Sequence, residues 1–446
     1  MNTITKNYIG TENYQIFNID NRDYVFLTGV HDVMEIVNPE LKKYFSVHTN
    51  KMKTEVAEQL TQTITTLREQ KCKPALERKL EAPKQMMITL NTTHGCNMAC
   101  KYCFASTQKD KMSVMPLSVA QKAIEGIVKE NPQVEKFSIY FFGGEPLLHK
   151  PFIKAVVPMA RDIMKKYNHT VSFMLNTNAT LLNDPDLLKF MHIEDFVVTV
   201  SIDGPKTIND ENRIFHNGHG TFDRIIKGMQ LLRDYQVKFN LRATFSPQTR
   251  NLVEVFDFFE QQKATFAYAF TVPSSTKEAE KTQFTDNDLE RLDKELARIE
   301  DYYLDKLLRQ EIIYQTDFRL KWAYLQNQHI NVSGCEAGHG EFIIDEKGNY
   351  YPCQNLLPFA ETRCGNIEDG IDKDKCHEFG VQRLSELDNC QNCWCRFLCG
   401  GGCATERYMN RGLKSISNRC KLTQLEWKHM ISLFIKYHFA GEKNIE

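Results

Sequence analysis

The chain has 446 residues, enough for two or three domains and a large buried core. Its formal net charge of -1 gives no global field toward nucleic acid or an anionic membrane surface. Hydrophobic content of 42% and 25% charged residues are ordinary for a soluble globular protein. No apolar run of about 18 residues is present, and Met1-Asn2-Thr3-Ile4-Thr5-Lys6 lacks the apolar core of a signal peptide, so a cytoplasmic protein is expected. Fourteen cysteines without an export signal point to metal ligation rather than disulfides, because cytosolic thiols stay reduced.

Residues 1 to 85 read as a small leading domain. Tyr14 to Ile19 alternates like a strand, Asp20 to Asp23 has turn chemistry, and Tyr24 to Leu27 reads as the returning strand of a β-hairpin. Short apolar patches follow at Val33 to Ile36 and Leu41 to Phe45. Glu55 to Gln70 has helical spacing, and Lys71 to Lys84, with Pro74 and Pro83, reads as a linker.

Residues 86 to 275 repeat one pattern. Strand-like runs begin at Met86 and recur at Phe137–Phe142, Val171–Asn176, Phe196–Ser201, Lys238–Phe245 and Phe266–Thr271. Between them lie helix-like segments at Ser118–Glu130, Pro151–Tyr167, Thr221–Tyr235 and Asn251–Lys263, with a short one after Asn183. Six β/α units make the fold class α/β, a parallel sheet curved into a partial (β/α)6 TIM-like barrel, with its site at the carboxyl ends of the strands. The first strand runs into Cys96, Cys100 and Cys103. A four-iron cube takes one thiolate per iron, so three cysteines leave one iron open, as a catalytic centre needs. A zinc site or three unrelated buried cysteines are the alternatives, with His94 the one fourth zinc ligand nearby. Strand two ends in Gly143-Gly144-Glu145-Pro146, where glycines admit close approach and Glu145 is an acceptor for an ammonium group.

Residues 276 to 330 form a connector. Leu289, Leu292, Leu296, Ile299, Tyr303 and Leu307 fall at helical spacing within the charged stretch Lys277 to Glu311, as in an amphipathic helix with one packed face. Residues 331 to 446 carry Cys335, Gly348, Cys353, Cys390, Cys393, Cys399, Cys403 and Cys420, and Phe342 to Tyr351 reads as a hairpin turning at Lys347-Gly348-Asn349. Two structural zinc ribbons are the alternative reading of this array. Cys364, Cys376 and Cys395 read as small buried hydrophobes.

The cysteine loop with Lys101-Tyr102-Cys103-Phe104, the Gly-Gly-Glu-Pro turn and the seven-cysteine order resemble radical S-adenosylmethionine (SAM) enzymes with a C-terminal SPASM domain. The resemblance covers about residues 86 to 425 and implies three [4Fe-4S] clusters and SAM as cofactors. It implies Cys96, Cys100 and Cys103 as ligands of the first cluster, Cys390, Cys393, Cys399 and Cys420 of a second, and Cys335, Cys353 and Cys403 of a third. The fourth ligand of the third is open between His329, Cys72 and a substrate cysteine. SAM contacts carried over are Tyr102, Gly143, Gly144, Glu145 for the amino group, Asn178, Ser201 for the ribose and Arg213 for the carboxylate. The leading domain resembles the winged-helix-like leader-recognition element of peptide maturases, which binds by strand addition. Packing on the barrel is its bland alternative. In sulfatase maturases an aspartate base follows the hairpin cysteine, whereas here Gln354 follows Cys353, and glutamine takes no proton at neutral pH. The resemblance thus implies a maturase of a ribosomal precursor peptide with a leader, installing a cysteine thioether, supplied with electrons by a flavodoxin or ferredoxin, with no nucleic-acid or membrane partner. A carbon-carbon crosslink and maturation of a protein partner are the alternatives, and the catalytic base is not identified.

Overall fold

The computed structural model describes residues 14–46, 55–78, 80–103, 113–271, 283–409 and 417–439. Phe104 of the cysteine loop and the start of the connector stretch at Lys277 lie outside the described residues.

The leading unit is a three-stranded antiparallel sheet rather than a hairpin, with β1 (Tyr14–Ile19), β2 (Arg22–Leu27) and β3 (Asp32–Glu35) in that order. Helices α1 (Pro39–Ser46) and α2 (Glu55–Glu77) follow. The patch at Val33 has too few residues to declare a period, so pairing with β2 decides its state. Where a linker was expected, α2 continues through Pro74 to Glu77. Buried Cys72 and Leu76 pack against Leu384 and Phe397, and that tertiary burial outweighs the lost helical hydrogen bond at the proline.

The central sheet has six parallel strands in sequence order, β4 (Gln85–Asn91), β5 (Lys136–Phe142), β6 (Thr170–Thr177), β7 (Val197–Ser201), β8 (Lys238–Phe245) and β9 (Phe266–Phe270). Helices α3 (Leu117–Glu130), α4 (Lys150–Tyr167), α5 (Pro185–Ile193), α6 (Lys206–Asn212), α7 (Phe222–Asp234) and α8 (Leu252–Gln261) connect them. Strand alternation explains the curvature and the two faces. On β5, Phe137, Ile139 and Phe141 are fully buried in the main hydrophobic core, while Ser138, Tyr140 and Phe142 face the concave side. The same alternation puts Thr89, Asn176, Ser201 and Arg242 on the concave side.

Helices α9 (Asp286–Leu308) and α10 (Thr316–Gln326) follow β9. The connector stretch packs one face, as its spacing indicates, with Leu289, Leu292, Leu296, Ile299 and Tyr303 buried. Polar groups also hold it: His429 bridges Asp293 at 2.7 Å and Glu300, and Lys428 reaches Asp293 at 2.9 Å.

The cysteine-rich tail begins with β10 (Glu341–Ile344) and β11 (Tyr350–Tyr351), joined by the expected hairpin turn. Gly348 sits there at φ +83, with the Ile367 side chain 2.6 Å from where a Cβ would stand. The hairpin is not separate from the barrel. β10 pairs in parallel with β4, Glu341 opposite Met87 through Ile344 opposite Leu90, extending the sheet to eight strands. The small pair β12 (Gly365–Asn366) and β13 (Gly370–Ile371) follows, then α11 (Lys373–Phe379), α12 (Arg396–Cys399), α13 (Ala404–Met409) and α14 (Asn418–Phe439). No helix among the described residues is long and apolar enough to cross a membrane.

The leading unit is tied to this tail by the turn after β2. The Thr28 hydroxyl donates to the Trp394 carbonyl at 2.5 Å, and Arg68 Nε donates to the Thr28 carbonyl at 2.7 Å. Gly29, at φ +79, leaves only 2.9 Å between a Cβ and Cys72 Sγ and 3.2 Å to Phe397.

Phe141 is fully buried and stacks on Phe196 at a 6.0 Å ring separation. Phe141→Ala is expected to cost about 3–5 kcal/mol, read as a lower denaturant midpoint in chemical unfolding.

Candidate active site

The loop after β4 lies across the carboxyl ends of the strands and is held mainly through its backbone. Ala99 N–H donates to the Ile214 carbonyl at 2.7 Å and Lys101 N–H to Asn212 at 3.0 Å. From the other side, Gly144 N–H donates to Thr93 and Glu145 N–H to Gly95, both at 2.8 Å. A Cβ on Gly143 would stand 2.4 Å from the Thr93 oxygen, and one on Gly144 2.1 Å from that of Gly95. From the residues alone, glycines at these positions are expected to admit a ligand. Their close neighbour in the structure is the cysteine loop itself.

Glu145 is fully buried. Its carboxylate accepts from Leu147 N–H at 3.0 Å, Thr177 Oγ1 at 2.7 Å and Asn178 N–H at 2.7 Å. Burial pushes its pKa up, and these three donors oppose the rise. A carboxylate has about four lone-pair sites, so one remains for an ammonium group. Asn178 reaches from β6 to Asn97 Oδ1 at 2.9 Å and lies 4.0 Å from Cys96 Sγ.

Cys96, Cys100 and Cys103 share one neighbourhood. Burial, helped by Glu145 and the other two thiols, pushes Cys96 up to about 12. Three thiols in one neighbourhood suit three irons of a cube, and cluster binding would release their protons. Among the described residues, no three His, Cys, Asp or Glu side chains converge on the point a single ion would occupy. A cube asks instead for one thiolate at each iron.

Tyr102 and Arg213, far apart in sequence, meet here. Tyr102 OH donates to Asp203 Oδ2 at 2.6 Å, and Arg213 Nη1 donates to Tyr102 OH at 2.8 Å. Asp203 also accepts from Thr244 N–H at 3.0 Å and lies 3.9 Å from Arg213 Nη1. Arg213 is buried and its Nε has no hydrogen-bond partner. Asp203 was missed as a site residue in the sequence, although it stands two positions after Ser201 at the end of β7. Ser201 Oγ contacts Asn176 Oδ1 at 3.5 Å on the concave face.

The loop is also joined to the tail. His94 Nε2 and Glu346 Oε2 are 2.8 Å apart, and Ser113 Oγ donates to Glu346 Oε1 at 3.3 Å. Burial alone would raise the Glu346 pKa, but these partners win and hold it at about 2.

In the tail, Cys390, Cys393, Cys399 and Cys420 come together. Burial pushes Cys399 up to about 12, with Cys393, Cys390 and Cys420 adding to it. Cys395 is buried in the core, as expected, and its Sγ also lies 3.6 Å from Cys393 Sγ. Hydrogen bonds from Cys395 and from Gln424 Nε2, at 3.4 Å, hold Cys393 down at about 6. Cys353 and Cys403 adjoin one another, and burial raises Cys353 to about 12. Cys335 follows Gly334, whose backbone packs on Gly402 beside Cys403. Of the open fourth ligands, Cys72 donates to the Gly29 carbonyl at 3.2 Å and His329 packs on Tyr324 at 4.4 Å. Cys364 and Cys376 are buried, as expected, and adjoin each other.

Residues 90–259 match the radical SAM superfamily. This chain carries a radical SAM domain. The cysteine-type anaerobic sulfatase-maturating enzyme of Clostridium perfringens is 28% identical over 338 residues, covering 72% of this chain and 89% of that one. Among solved structures, native anSMEcpe with bound AdoMet and Cp18Cys peptide matches with a TM-score of 0.64 at 23% identity, over 82% of this chain and 99% of that one. Streptococcus suis SuiB bound to precursor peptide SuiA matches with a TM-score of 0.54 at 17% identity, over 90% and 96%. The two structural matches carry the fold. Such a domain implies a [4Fe-4S] cluster and SAM, which would supply radical chemistry at this site.

Because Glu346 titrates lower folded than unfolded, its contribution is present above the unfolded value near 4.3 and is lost as pH falls toward about 2. Glu346→Gln is expected to flatten the decline of thermal stability across that acid range, read by circular dichroism melts at stepped pH.

Proposed function

We propose that this radical SAM enzyme is a maturase of a ribosomally made precursor peptide and installs a crosslink at a cysteine, a thioether. The observation that carries the reading is the leading unit. Its sheet ends at β3, whose outer edge pairs with no strand among the described residues. The Val33 N–H donates to the Asp32 side chain at 2.9 Å, and an unpaired sheet edge of this kind gives an added strand backbone groups to pair with. The solved SuiB structure carries a bound precursor peptide and aligns with 90% of this chain. Cys353 is followed by Gln354, which has no basic side chain, and this weighs against the sulfatase type of maturation despite the similarity to those enzymes.

In this reading Cys96, Cys100 and Cys103 ligate the SAM cluster, and the Tyr102–Asp203–Arg213 network sets the position of Arg213 toward the SAM carboxylate. Glu145 holds the turn at Asn178 and offers its remaining lone pair to the SAM amino group. Asn178 and Ser201 line the same rim, and the Gly143-Gly144 backbone shapes it. Cys390, Cys393, Cys399 and Cys420 hold a second cluster and Cys335, Cys353 and Cys403 a third. A cluster held by either set would supply an acceptor for the electron released when a substrate carbon and a cysteine sulfur join and the thiol proton departs. A flavodoxin or ferredoxin supplies the reducing electron for SAM cleavage.

The test is anaerobic reconstitution, with iron, sulfide and deoxyadenosine measured under reductant, and the mass of a candidate precursor peptide followed. Roughly twelve irons and twelve sulfides per chain are expected, with deoxyadenosine release lost in the Cys96→Ala, Cys100→Ala, Cys103→Ala variant and the peptide lighter by two hydrogens. Zinc in place of iron with no SAM cleavage sinks the proposal. Conversion of a sulfatase peptide to formylglycine instead would move the protein to the other maturase type.

A further inference from the structure

Two side chains outside the assigned ligand sets meet at the sulfur of Cys393. Gln424 stands four residues after Cys420 on α14, so the two fall on one face of that helix. Its Nε2 lies 3.4 Å from Cys393 Sγ. Cys395 Sγ lies 3.6 Å from the same sulfur. A cysteine that ligates iron does so as a thiolate and has no proton to give. In the cluster-bound form Cys393 therefore accepts from both neighbours, the amide N–H of Gln424 and the S–H of Cys395. The same reasoning orients the amide, since its carbonyl oxygen has nothing to donate to a thiolate.

Both donors are held in place by the surrounding fold. Cys395 is buried, and its carbonyl accepts from Leu398 N–H at 3.0 Å and Cys399 N–H at 2.8 Å, which anchors it to the first turn of α12. Arg396, also buried, donates from Nη1 to the Cys393 carbonyl at 2.9 Å and brings positive charge to that residue. Gln424 is half-buried and lines an open groove with Trp394, Lys421 and Leu425, so exchanging it leaves the core intact. Hydrogen bonds to a ligand sulfur and positive charge beside it withdraw electron density. Both favour the form of a cluster that holds one more electron.

We propose that Gln424 and Cys395 raise the reduction potential of the cluster held by Cys390, Cys393, Cys399 and Cys420, by donating hydrogen bonds to the Cys393 sulfur. The proposal rests on the reading of those four cysteines as cluster ligands and adds which protein groups set that cluster's electron affinity. Cys395 is thereby a donor and not a ligand. Neither donor changes protonation in this role, and Arg396 acts in the same direction through its charge. The third cysteine set has its own side-chain donor, the Thr405 hydroxyl at 3.6 Å from Cys353 Sγ. The two sets can therefore be perturbed separately.

The test is an anaerobic redox titration of the full-length, cluster-loaded enzyme, with the reduced clusters followed by electron paramagnetic resonance. Gln424→Leu is expected to lower one auxiliary potential. At the poise where that cluster is half reduced in the unsubstituted enzyme, about tenfold less of it is then reduced, the effect of one hydrogen bond to a charged group. Cys395→Ala is expected to move the same cluster in the same direction, and Cys395→Ser, which keeps an O–H donor, to restore most of the shift. Thr405→Val is expected to leave that potential in place. Unmoved potentials in Gln424→Leu with its iron intact overturn the proposal. So does the loss of about four irons in Cys395→Ala, because Cys395 would then be a ligand. Should Gln424→Leu itself lose iron, Cys395→Ala and Cys395→Ser decide, and equal potentials in those two refute the proposal. Iron, sulfide and zinc in the unsubstituted enzyme are measured alongside. Zinc in place of iron strikes the cluster reading beneath the proposal, whereas iron with unshifted potentials refutes the tuning alone.

Discussion

Backbone pairing between the cysteine loop and the Gly143-Gly144 turn is the constraint on which the rest of the site depends. Two N–H groups of the turn reach the carbonyls of Thr93 and Gly95, and no side chain fits between the two segments. That contact places Glu145 beneath Asn178, and Asn178 against Asn97 and Cys96. On the opposite flank the loop is paired with residues 212 to 215, which brings Arg213 to Tyr102. The thiols are therefore presented from a loop paired on both sides, an arrangement that limits the entropy cost of assembling metal ligands.

A second constraint links the barrel to the cysteine-rich tail. β10 is a strand of the same sheet as β4, so the hairpin that leads to Cys353 is indexed to the strand that leads to Cys96. The His94–Glu346 contact at 2.8 Å repeats that link at the level of side chains. The leading unit joins the same assembly through Thr28 and Trp394, one residue after Cys393. The leading unit thus meets the tail beside Cys393 through packed segments and hydrogen bonds.

The concave face differs in character from the convex one. Phenylalanines and aliphatic residues fill the helix side, while Thr89, Tyr140, Thr199, Arg242 and Glu341 make the lumen polar. Thr89 donates to Glu341 across the β4–β10 seam at 3.1 Å, and burial raises the Glu341 pKa. A lumen lined by these groups is polar, unlike the apolar helix side.

Much of this was legible in the chain order of residues. Period-two alternation marks the strands, the cysteine intervals mark the loop and the tail array, and turn residues such as Lys347-Gly348-Asn349 mark the hairpin, because each signal is local and survives without knowledge of neighbours. The ends of β5 through β9 fall within a residue or so of the alternating runs. Residues whose roles depend on distant partners stayed hidden. β3 needs β2 to be a strand, and α2 passes Pro74 because Leu384 and Phe397 cover it from some three hundred residues away. Cys395 looks like any small core residue until folding sets it against Cys393, and Asp203 looks like a turn residue until Tyr102 and Arg213 reach it. Sequence by itself marked most element types and the cysteine intervals, since these signals are local, and those intervals carried the resemblance that implied the class of chemistry. Tertiary structure alone decided which strand the hairpin joins and which carboxylates are spent on protein donors, since those depend on packing between segments that no interval along the chain encodes.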